Sequence, residues 1–323
     1  MAQPRLPTLP APAALLALLL GFAPLGPAPF VSASSAPVAP QAASRARPAT
    51  PPAGATQPPR AEKSVRFAVL GDTGTGGRQQ YEVGERLAAS RDVFPFEFVL
   101  MLGDNIYGSE RPQDFERKFE RPYQALLDRK VLFYASLGNH DDPNQRFYRP
   151  FNMDGRRYYT FDKGGVRFFA LDSNYMDKAQ LDWLERELST SNDWKIAFFH
   201  HPLYSSGERH GSEVDLRTIL EPMFLEHGVS VVFAGHEHFY ERLKPQKGIT
   251  YFTNGGAAKL RAGNIRAGSA LTARGFDTDR SYMLVEIVDQ TMHFQTLSRT
   301  GQLVDSGSVT AVPKPKDTDS AQP

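Results

Sequence analysis

Seven side chains with metal-binding oxygen or nitrogen atoms stand just after apolar segments of this chain. They are Asp72, Asp104, Tyr107, Asn139, His200, His236 and His238. Carboxylate, phenol, amide and imidazole groups are borderline-to-hard ligands, which suit iron, zinc or manganese. A carboxylate can bridge two cations, because each of its oxygens keeps a lone pair for a different metal. A phenol becomes a good ligand only when it is ionised, which requires a strongly acidic metal nearby.

Apolar, β-rich segments come directly before these residues. The segments are 65–70, 96–101, 131–137, 195–199 and 229–233. Each is typical of a buried strand. In open α/β sheets, ligands sit at the carboxyl ends of the strands. Five strand ends, in chain order, therefore carry suitable donor atoms, and the prediction of a metal site depends on that set.

Each motif by itself has a plainer interpretation. A Gly-Asp pair after a strand is usually a turn, and a single His-x-His is usually incidental. Taken singly, His201, His210 and His227 are typical of surface histidines. The glycines of 74–77 could cradle a phosphate, but they lack the Lys-Ser/Thr of a P-loop and the third glycine of a dinucleotide fingerprint.

The remaining pattern predicts the fold class. Helices are expected at 79–91, along Phe115, Phe119 and Leu126, along Leu181, Leu184 and Leu188, and at 214–226. Further strands are expected at 158–161, 166–171, 249–253, 282–288 and 292–297. Strands and helices alternate in the first part of the domain, and antiparallel strands follow. This order predicts an α/β (α+β) fold, in which two mixed β-sheets pack as a sandwich with flanking helices.

Composition excludes several functional classes. The 323 residues are 41% hydrophobic and 23% charged, as in an ordinary globular protein, and could form one large domain or two small ones. A formal net charge of +1 gives no electrostatic footprint for nucleic acid or an anionic membrane. The chain has no cysteine, which removes disulfides, thiolate metal sites and a thiol nucleophile.

The N-terminal segment predicts export. Arg5 precedes an apolar core at 13–22, which is too short to span a bilayer but suits a signal peptide, and Val31-Ser32-Ala33 resembles a cleavage site. A disordered leader and an uncleaved anchor are the alternatives. We therefore expect a signal peptide at 1–33 and a periplasmic or secreted protein.

Composition also sets the other domain boundaries. Residues 34–62 are mostly Ala and Pro, and they should form a disordered linker because they cannot bury enough apolar surface. The polar residues 313–323 look like a frayed tail. One catalytic domain at 63–312 remains.

Five motifs, in this order, resemble the calcineurin-like metallophosphoesterase superfamily. They are Gly71-Asp72-Thr73-Gly74, Gly103-Asp104-Asn105-Ile106-Tyr107, Gly138-Asn139-His140-Asp141, His200-His201-Pro202 and Gly235-His236-Glu237-His238. The tyrosine of the second motif and the final glycine of the first resemble purple acid phosphatases of the small, tartrate-resistant type. The resemblance covers about residues 65–297 and implies the four-layer αββα fold of that superfamily.

The resemblance also implies a ligand set. Asp104 would bridge two metal ions. Asp72, Tyr107 and His238 would complete an Fe(III) site. Asn139, His200 and His236 would complete a second site for divalent Fe, Zn or Mn.

Residues outside the ligand set are expected to act on the substrate. His140 would bind phosphate or donate a proton to the leaving group, and Asp141 either orients it or is a plain turn acid. In the resembled phosphatases, a loop comparable to 205–211 carries substrate-facing acid and histidine side chains. Glu208, Arg209 and His210 are therefore candidates, while 254–256 is expected to form a tight turn near the metals.

The function that the resemblance implies is that of an exported acid phosphatase. We expect a monomer that hydrolyses small phosphomonoesters, does not bind nucleic acid and has no stable membrane insertion after signal cleavage. One alternative is a phosphodiesterase or nucleotide-cleaving relative of the same fold, although such relatives usually have histidine where this chain has Gly74. The other is a non-catalytic phosphate-binding module, which the complete ligand set disfavours.

Overall fold

The computed structural model describes residues 58–190, 192 and 194–312. The predicted signal peptide, most of the predicted linker and the predicted tail lie outside these residues. The described end of the linker, 58–62, adjoins the domain, since the Arg60 backbone N–H donates to the Glu286 carboxylate at 2.6 Å. No helix in the described ranges is long and apolar enough to cross a membrane.

Strands and helices alternate through the first half of the domain, and strands dominate the second. The helices are α1 (Arg78–Val93), α2 (Pro112–Phe115), α3 (Arg121–Leu127), α4 (Lys178–Leu188) and α5 (Val214–Glu226). The strands are β1 (Val65–Leu70), β2 (Phe98–Leu102), β3 (Leu132–Ser136), β4 (Tyr159–Lys163), β5 (Val166–Ala170), β6 (Trp194–Phe199), β7 (Val231–Ala234), β8 (Tyr240–Leu243), β9 (Thr250–Asn254), β10 (Thr272–Phe276), β11 (Ser281–Val288), β12 (Thr291–Ser298) and β13 (Leu303–Thr310).

The strands form two mixed sheets. The first has the order β13-β12-β11-β1-β2-β3, and the second has the order β10-β8-β9-β7-β6-β5-β4. In the first sheet β1, β2 and β3 run parallel, and in the second β5, β6, β7 and β9 do. The predicted sandwich of two mixed sheets is confirmed.

Alternating side chains of the strands build two cores, because successive residues of a strand point to opposite faces. Phe198 of β6 joins the core between the sheets, whereas Phe199 joins the core beneath α4 and α5. Between the sheets, the Phe67 and Phe98 rings stack with centroids 5.2 Å apart, and Phe168 meets Phe67 edge-on at 5.4 Å. On the other side of the sandwich, α1 contacts β11 and α3. The layers are therefore helix, sheet, sheet and helix.

The helix that the sequence predicts through Phe115, Phe119 and Leu126 is interrupted. A π-helical turn, Glu116–Glu120, separates α2 from α3. Pro122 has no backbone N–H to donate to the Lys118 carbonyl, which instead accepts the Gln80 side-chain amide at 2.5 Å. The buried Lys118 ammonium in turn donates to the carbonyls of Tyr107 and Ser109, at 2.6 and 2.7 Å. The interruption therefore anchors the loop that carries Tyr107.

Three strands are absent from the sequence prediction: β8, β10 and β13. β10 and β13 lie at sheet edges, where exposed polar residues and glycine replace the apolar alternation of a central strand. β8 has four residues and begins two residues after His238. Such short or polar segments carry too weak a pattern to be recognised from sequence.

Candidate metal centre

The predicted ligands come together where the two sheets present the carboxyl ends of their parallel strands. Asp72 follows β1, Asp104 and Tyr107 follow β2, and Asn139 follows β3. His200 follows β6, and His236 and His238 follow β7. The contacts below link all seven side chains into two adjoining clusters.

The first cluster contains Asp72, Asp104 and His238. One potential ligand atom from each lies within 4.8 Å of those of the other two. The Tyr107 hydroxyl donates to the Asp72 carboxylate at 2.9 Å and lies 3.4 Å from His238 Nε2. His238 Nε2 is itself 3.2 Å from Asp72 Oδ1. Two carboxylates, a phenol and an imidazole therefore converge on one point.

The second cluster is centred on His200. Its Nε2 lies 2.9 Å from Asn139 Oδ1, 3.0 Å from His236 Nδ1 and 3.5 Å from Asp104 Oδ1. Asp104 thus stands between the two clusters. His200 Nδ1 is 2.9 Å from the Leu102 carbonyl oxygen, which can only accept, so Nδ1 carries the proton. The lone pair of Nε2 is left facing the cluster, as a metal ligand requires.

Burial in the two clusters disfavours the charged forms of their side chains. Burial, and next the Asp104 carboxylate, raises the pKa of Asp72 well above its usual value. Burial also lowers the pKa of His238 to about 4 and that of His236 to about 2, and it lowers that of His200 well below normal. The imidazoles are therefore neutral and able to coordinate.

The two buried carboxylates also lack a cationic partner. Within the described ranges, neither Asp72 nor Asp104 forms an ion pair with a lysine or arginine. Buried carboxylates without such a partner are costly unless a metal ion compensates them. The donor set and its electrostatics fit two bound cations.

Three residues of the clusters have a strained backbone, as do six other side-chain-bearing residues of the described chain. Asp72, Asp104 and His236 have φ angles of 57°, 51° and 67°, a region that side-chain-bearing residues rarely adopt. Each such residue costs about 1–3 kcal/mol and typically marks a functional site. The strained turn at His236 lets its backbone N–H donate to Asp72 Oδ2 at 2.8 Å.

At two glycines the backbone lies so close to neighbouring atoms that a side chain would clash with them. A Cβ atom at Gly255 would lie 2.6 Å from Asp72 Oδ2 and 2.4 Å from the Glu237 carbonyl oxygen. A Cβ atom at Gly74 would lie 1.9 Å from the Asn105 carbonyl oxygen. No larger residue fits at either position without movement of the backbone, so a histidine at Gly74 is sterically excluded by the present loop.

His140 lies at the open side of the site. Its backbone N–H donates to Asp104 Oδ1 at 3.0 Å, and its exposed ring lies 5.1 Å from the Tyr107 ring. The neighbouring Asp141 carboxylate accepts hydrogen bonds from Gly138, from the 105–106 turn and from the Gln145 amide. Asp141 thus ties two loops together and makes no hydrogen bond to the His140 ring.

The three candidates in the 205–211 loop differ in position. The His210 ring lies 4.3 Å from the His236 ring. Glu208 and Arg209 are exposed, and within the described part of the chain their side chains make no hydrogen bond or ion pair. The structure therefore brings His210 to the clusters and leaves the other two outside.

Glu237 is a site residue that the sequence does not reveal. Its fully buried carboxylate accepts the backbone N–H groups of His210 and Gly211 at 3.2 and 2.8 Å and the Asn264 amide at 2.9 Å. It thereby fixes the His210 loop against the segment that carries His236 and His238. An acid between two histidines gives no sign of this role, because its partners lie 24 or more residues away.

The expectation that His201 is a surface histidine is wrong. Its ring nitrogen lies within 4.8 Å of those of His200 and His236, and burial lowers its pKa to about 4. Ser173 Oγ accepts the His201 backbone N–H at 3.1 Å and lies 2.8 Å from His201 Nδ1. The ring is therefore held at the edge of the second cluster.

Two basic residues from the loop after β9 complete the surroundings. Lys259 Nζ lies 4.3 Å from the centre of the Tyr107 ring. The Arg261 guanidinium is 3.6 Å from the Glu237 carboxylate. Glu237 compensates the charge of Arg261, so Lys259 supplies the positive charge on this side of the site, which suits an anionic substrate.

Comparison with known proteins agrees with this geometry. Residues 65–240 match the family model described as calcineurin-like phosphoesterase. Purple acid phosphatase 17 of Arabidopsis thaliana is 29% identical over 248 residues, which are 65% of this chain and 73% of the relative. Human tartrate-resistant acid phosphatase type 5 is 23% identical, over 60% of this chain and 73% of the relative.

The name of another relative specifies two metal ions. It is the Fe(3+)-Zn(2+) purple acid phosphatase 12 of Arabidopsis thaliana, 28% identical over 60% of this chain and 47% of the relative. Among solved structures, GAP50, described as the anchor in the inner membrane complex of Plasmodium, superposes with a TM-score of 0.64 at 18% identity. That match covers 78% of this chain and 90% of GAP50, and it supports the fold alone. The chain belongs to the calcineurin-like phosphoesterase family, and its relatives include the purple acid phosphatases.

Proposed function

We propose that this protein is an exported acid phosphatase that hydrolyses small phosphomonoesters with two metal ions. The observation that supports it most is the complete set of seven donors arranged around Asp104. A non-catalytic member of the family would have no need to keep every one of these donors. Export rests on the sequence of residues 1–33.

The proposed ligand sets follow the two clusters. Asp104 serves both metals, Asp72, Tyr107 and His238 hold the first, and Asn139, His200 and His236 hold the second. Two carboxylates and a phenolate suit the harder Fe(III), whereas an amide and two imidazoles suit a divalent Fe, Zn or Mn. The name of the Fe(3+)-Zn(2+) relative supports the same pairing.

When bound, two such cations supply Lewis acidity to the phosphate and make water nucleophilic near neutral pH. The chain's own residues then do the rest. His210 and Lys259 attract the phosphate oxygens, and Glu237 keeps the His210 loop in place. His140, on the open side, donates a proton to the leaving oxygen.

The shape and the charge of the site both favour a monoester over a diester. The phosphodiesterase alternative usually places histidine where Gly74 lies, and the Asn105 carbonyl leaves no room for it here. Lys259 gives this side of the site positive charge, which favours the dianion of a monoester over the monoanion of a diester.

The mono- and diester of p-nitrophenol test this function. On metal-replete protein between about pH 4 and 9, we expect kcat/KM for p-nitrophenyl phosphate to exceed that for the bis-ester by at least about tenfold. We expect the optimum below pH 7, as in the acid phosphatases that the chain resembles. An alkaline optimum with the diester preferred would favour the phosphodiesterase alternative.

Tyr107 provides a spectroscopic test of the first metal. Burial, and next the charge of Asp72, raises the pKa of Tyr107, so its phenolate requires a strong Lewis acid beside it. With Fe(III) bound, a visible charge-transfer band is expected, and Tyr107→Phe should remove it while kcat stays within about tenfold. Tyr158→Phe, a change at a tyrosine that packs against Trp183 and is outside the proposed ligand set, should leave the band intact. A colourless wild type loaded with Fe(III) would exclude the assignment.

A further inference from the structure

A cavity of about 430 Å³ adjoins the second cluster and has no role in the account so far. Asn139 and His201 line it, so it is continuous with the proposed site of the divalent ion. Its volume lies in the range of small-molecule sites. If the phosphate is bound at the clusters, as the proposed function requires, the alcohol portion of the ester can extend into this cavity.

The charge of the cavity is opposite to that of the phosphate side. Asp141, Asp172 and Glu213 contribute to its lining, and no lysine or arginine of the described chain does. Asp141 is occupied by the N–H groups of neighbouring loops, and Asp172 is paired with Arg157 at 3.0 Å. By contrast, the half-buried Glu213 carboxylate makes no hydrogen bond or ion pair within the described ranges. One acid of the wall is therefore available to a ligand.

Aromatic surface accompanies this free carboxylate. Tyr175, which is 60% exposed, lines the same cavity with its ring centre 5.6 Å from the Arg157 guanidinium, and Leu216 adds apolar surface. A carboxylate attracts an ammonium group, whereas the Tyr175 ring already faces the Arg157 cation and is left to pack against the hydrocarbon part of the alcohol. A second anionic group would instead be repelled, and a neutral group would leave the carboxylate unpaired.

We propose that this cavity binds the alcohol portion of the substrate, and that it selects phosphomonoesters of small amino alcohols over those whose alcohol carries a second anion. The opposed charges orient the ester. Its phosphate lies at the clusters beside Lys259, and its ammonium group faces Glu213. This inference rests on the proposed phosphatase function and names the substrate class for the same site.

Three esters of similar size test the proposal: phosphoethanolamine, propyl phosphate and phosphoglycolate, whose alcohols are cationic, neutral and anionic. The metal-replete full chain is compared with Glu213→Gln. We expect the variant to lower kcat/KM for phosphoethanolamine by about three- to tenfold, mainly through KM, as for a partly exposed ion pair. It should raise kcat/KM for phosphoglycolate and change that for propyl phosphate by less than about twofold.

Glu226→Gln is the matched control, because it removes an exposed acid at the other end of α5. It should leave all three values unchanged. Calorimetric titration with phosphoethanolamine should show the same loss of affinity in Glu213→Gln, and equal Tm values confirm that the variant folds. If p-nitrophenyl phosphate is hydrolysed while the ratio of phosphoethanolamine to phosphoglycolate is the same in Glu213→Gln, the proposal is wrong. Absence of p-nitrophenyl phosphate hydrolysis would instead contradict the phosphatase function.

Discussion

Asp104→Asn is expected to abolish binding of both metal ions and to lower kcat/KM for p-nitrophenyl phosphate by at least about 10³-fold. Asp104 is the one side chain that contributes to the first cluster and lies 3.5 Å from His200 Nε2 in the second. Asparagine keeps the size and an acceptor for the His140 backbone N–H, so the change removes mainly the charge and the bridging capacity. Elemental analysis and steady-state kinetics measure the two effects.

The same variant should stabilise the metal-free protein. Burial, and next the charge of Asp104, raises the pKa of Asp72 in the folded state. Above the ordinary pKa of Asp72, its ionisation therefore opposes folding, and removal of the Asp104 charge reduces that penalty. At pH 7, Tm of metal-free Asp104→Asn should exceed that of the metal-free wild type, by about 2–4 °C for each 1 kcal/mol gained.

Glu85→Gln, at an exposed acid in the middle of α1, controls for loss of negative charge in general. It should change neither metal content nor Tm appreciably. Retention of two metals by Asp104→Asn would contradict the bridging role, and a lower Tm of its metal-free form would contradict the proposed repulsion.

His140→Ala is expected to retain both metals and to lower kcat by about 10²–10⁴-fold for alkyl phosphates, the usual range of general acid catalysis. Its backbone N–H, which the substitution leaves in place, is the group that contacts Asp104. The loss should be much smaller for p-nitrophenyl phosphate, because its leaving group needs little protonation.

His140→Gln separates a proton donor from a phosphate ligand. Glutamine can still donate a hydrogen bond to a phosphate oxygen, but it cannot protonate a leaving group at these pH values. Rescue of activity by glutamine, or equal losses on both substrate types, would assign His140 to phosphate binding.

The positions of the proposed donors at strand ends were predictable because each of these residues follows a local signal. A short apolar strand such as 65–70 and a glycine directly after it place Asp72 at a strand end, and the same reasoning applies to Asp104 and Asn139. The observed β1 and α5 coincide with the predicted ranges. Periodicity and strand ends are properties of a few consecutive residues, so they can be recognised in the sequence.

The contacts that support the donors were not predictable, because they join distant segments. Glu237 holds a loop 26 residues before it, and Lys118, in the π-helical turn between α2 and α3, donates to the Tyr107 carbonyl 11 residues before it. His201 has the sequence context of an ordinary surface histidine, yet Ser173 fixes it beside the second cluster. Each of these positions depends on tertiary packing.

Metal stoichiometry tests the central proposal most directly. The protein is purified from its native host, stripped with a chelator and titrated with iron and a divalent ion while hydrolysis of p-nitrophenyl phosphate is followed. We expect two metal ions per chain in the native protein, loss of activity on stripping, and recovery that is complete only when the second ion per chain has been added. Full activity in protein that holds one ion or none would contradict the proposal.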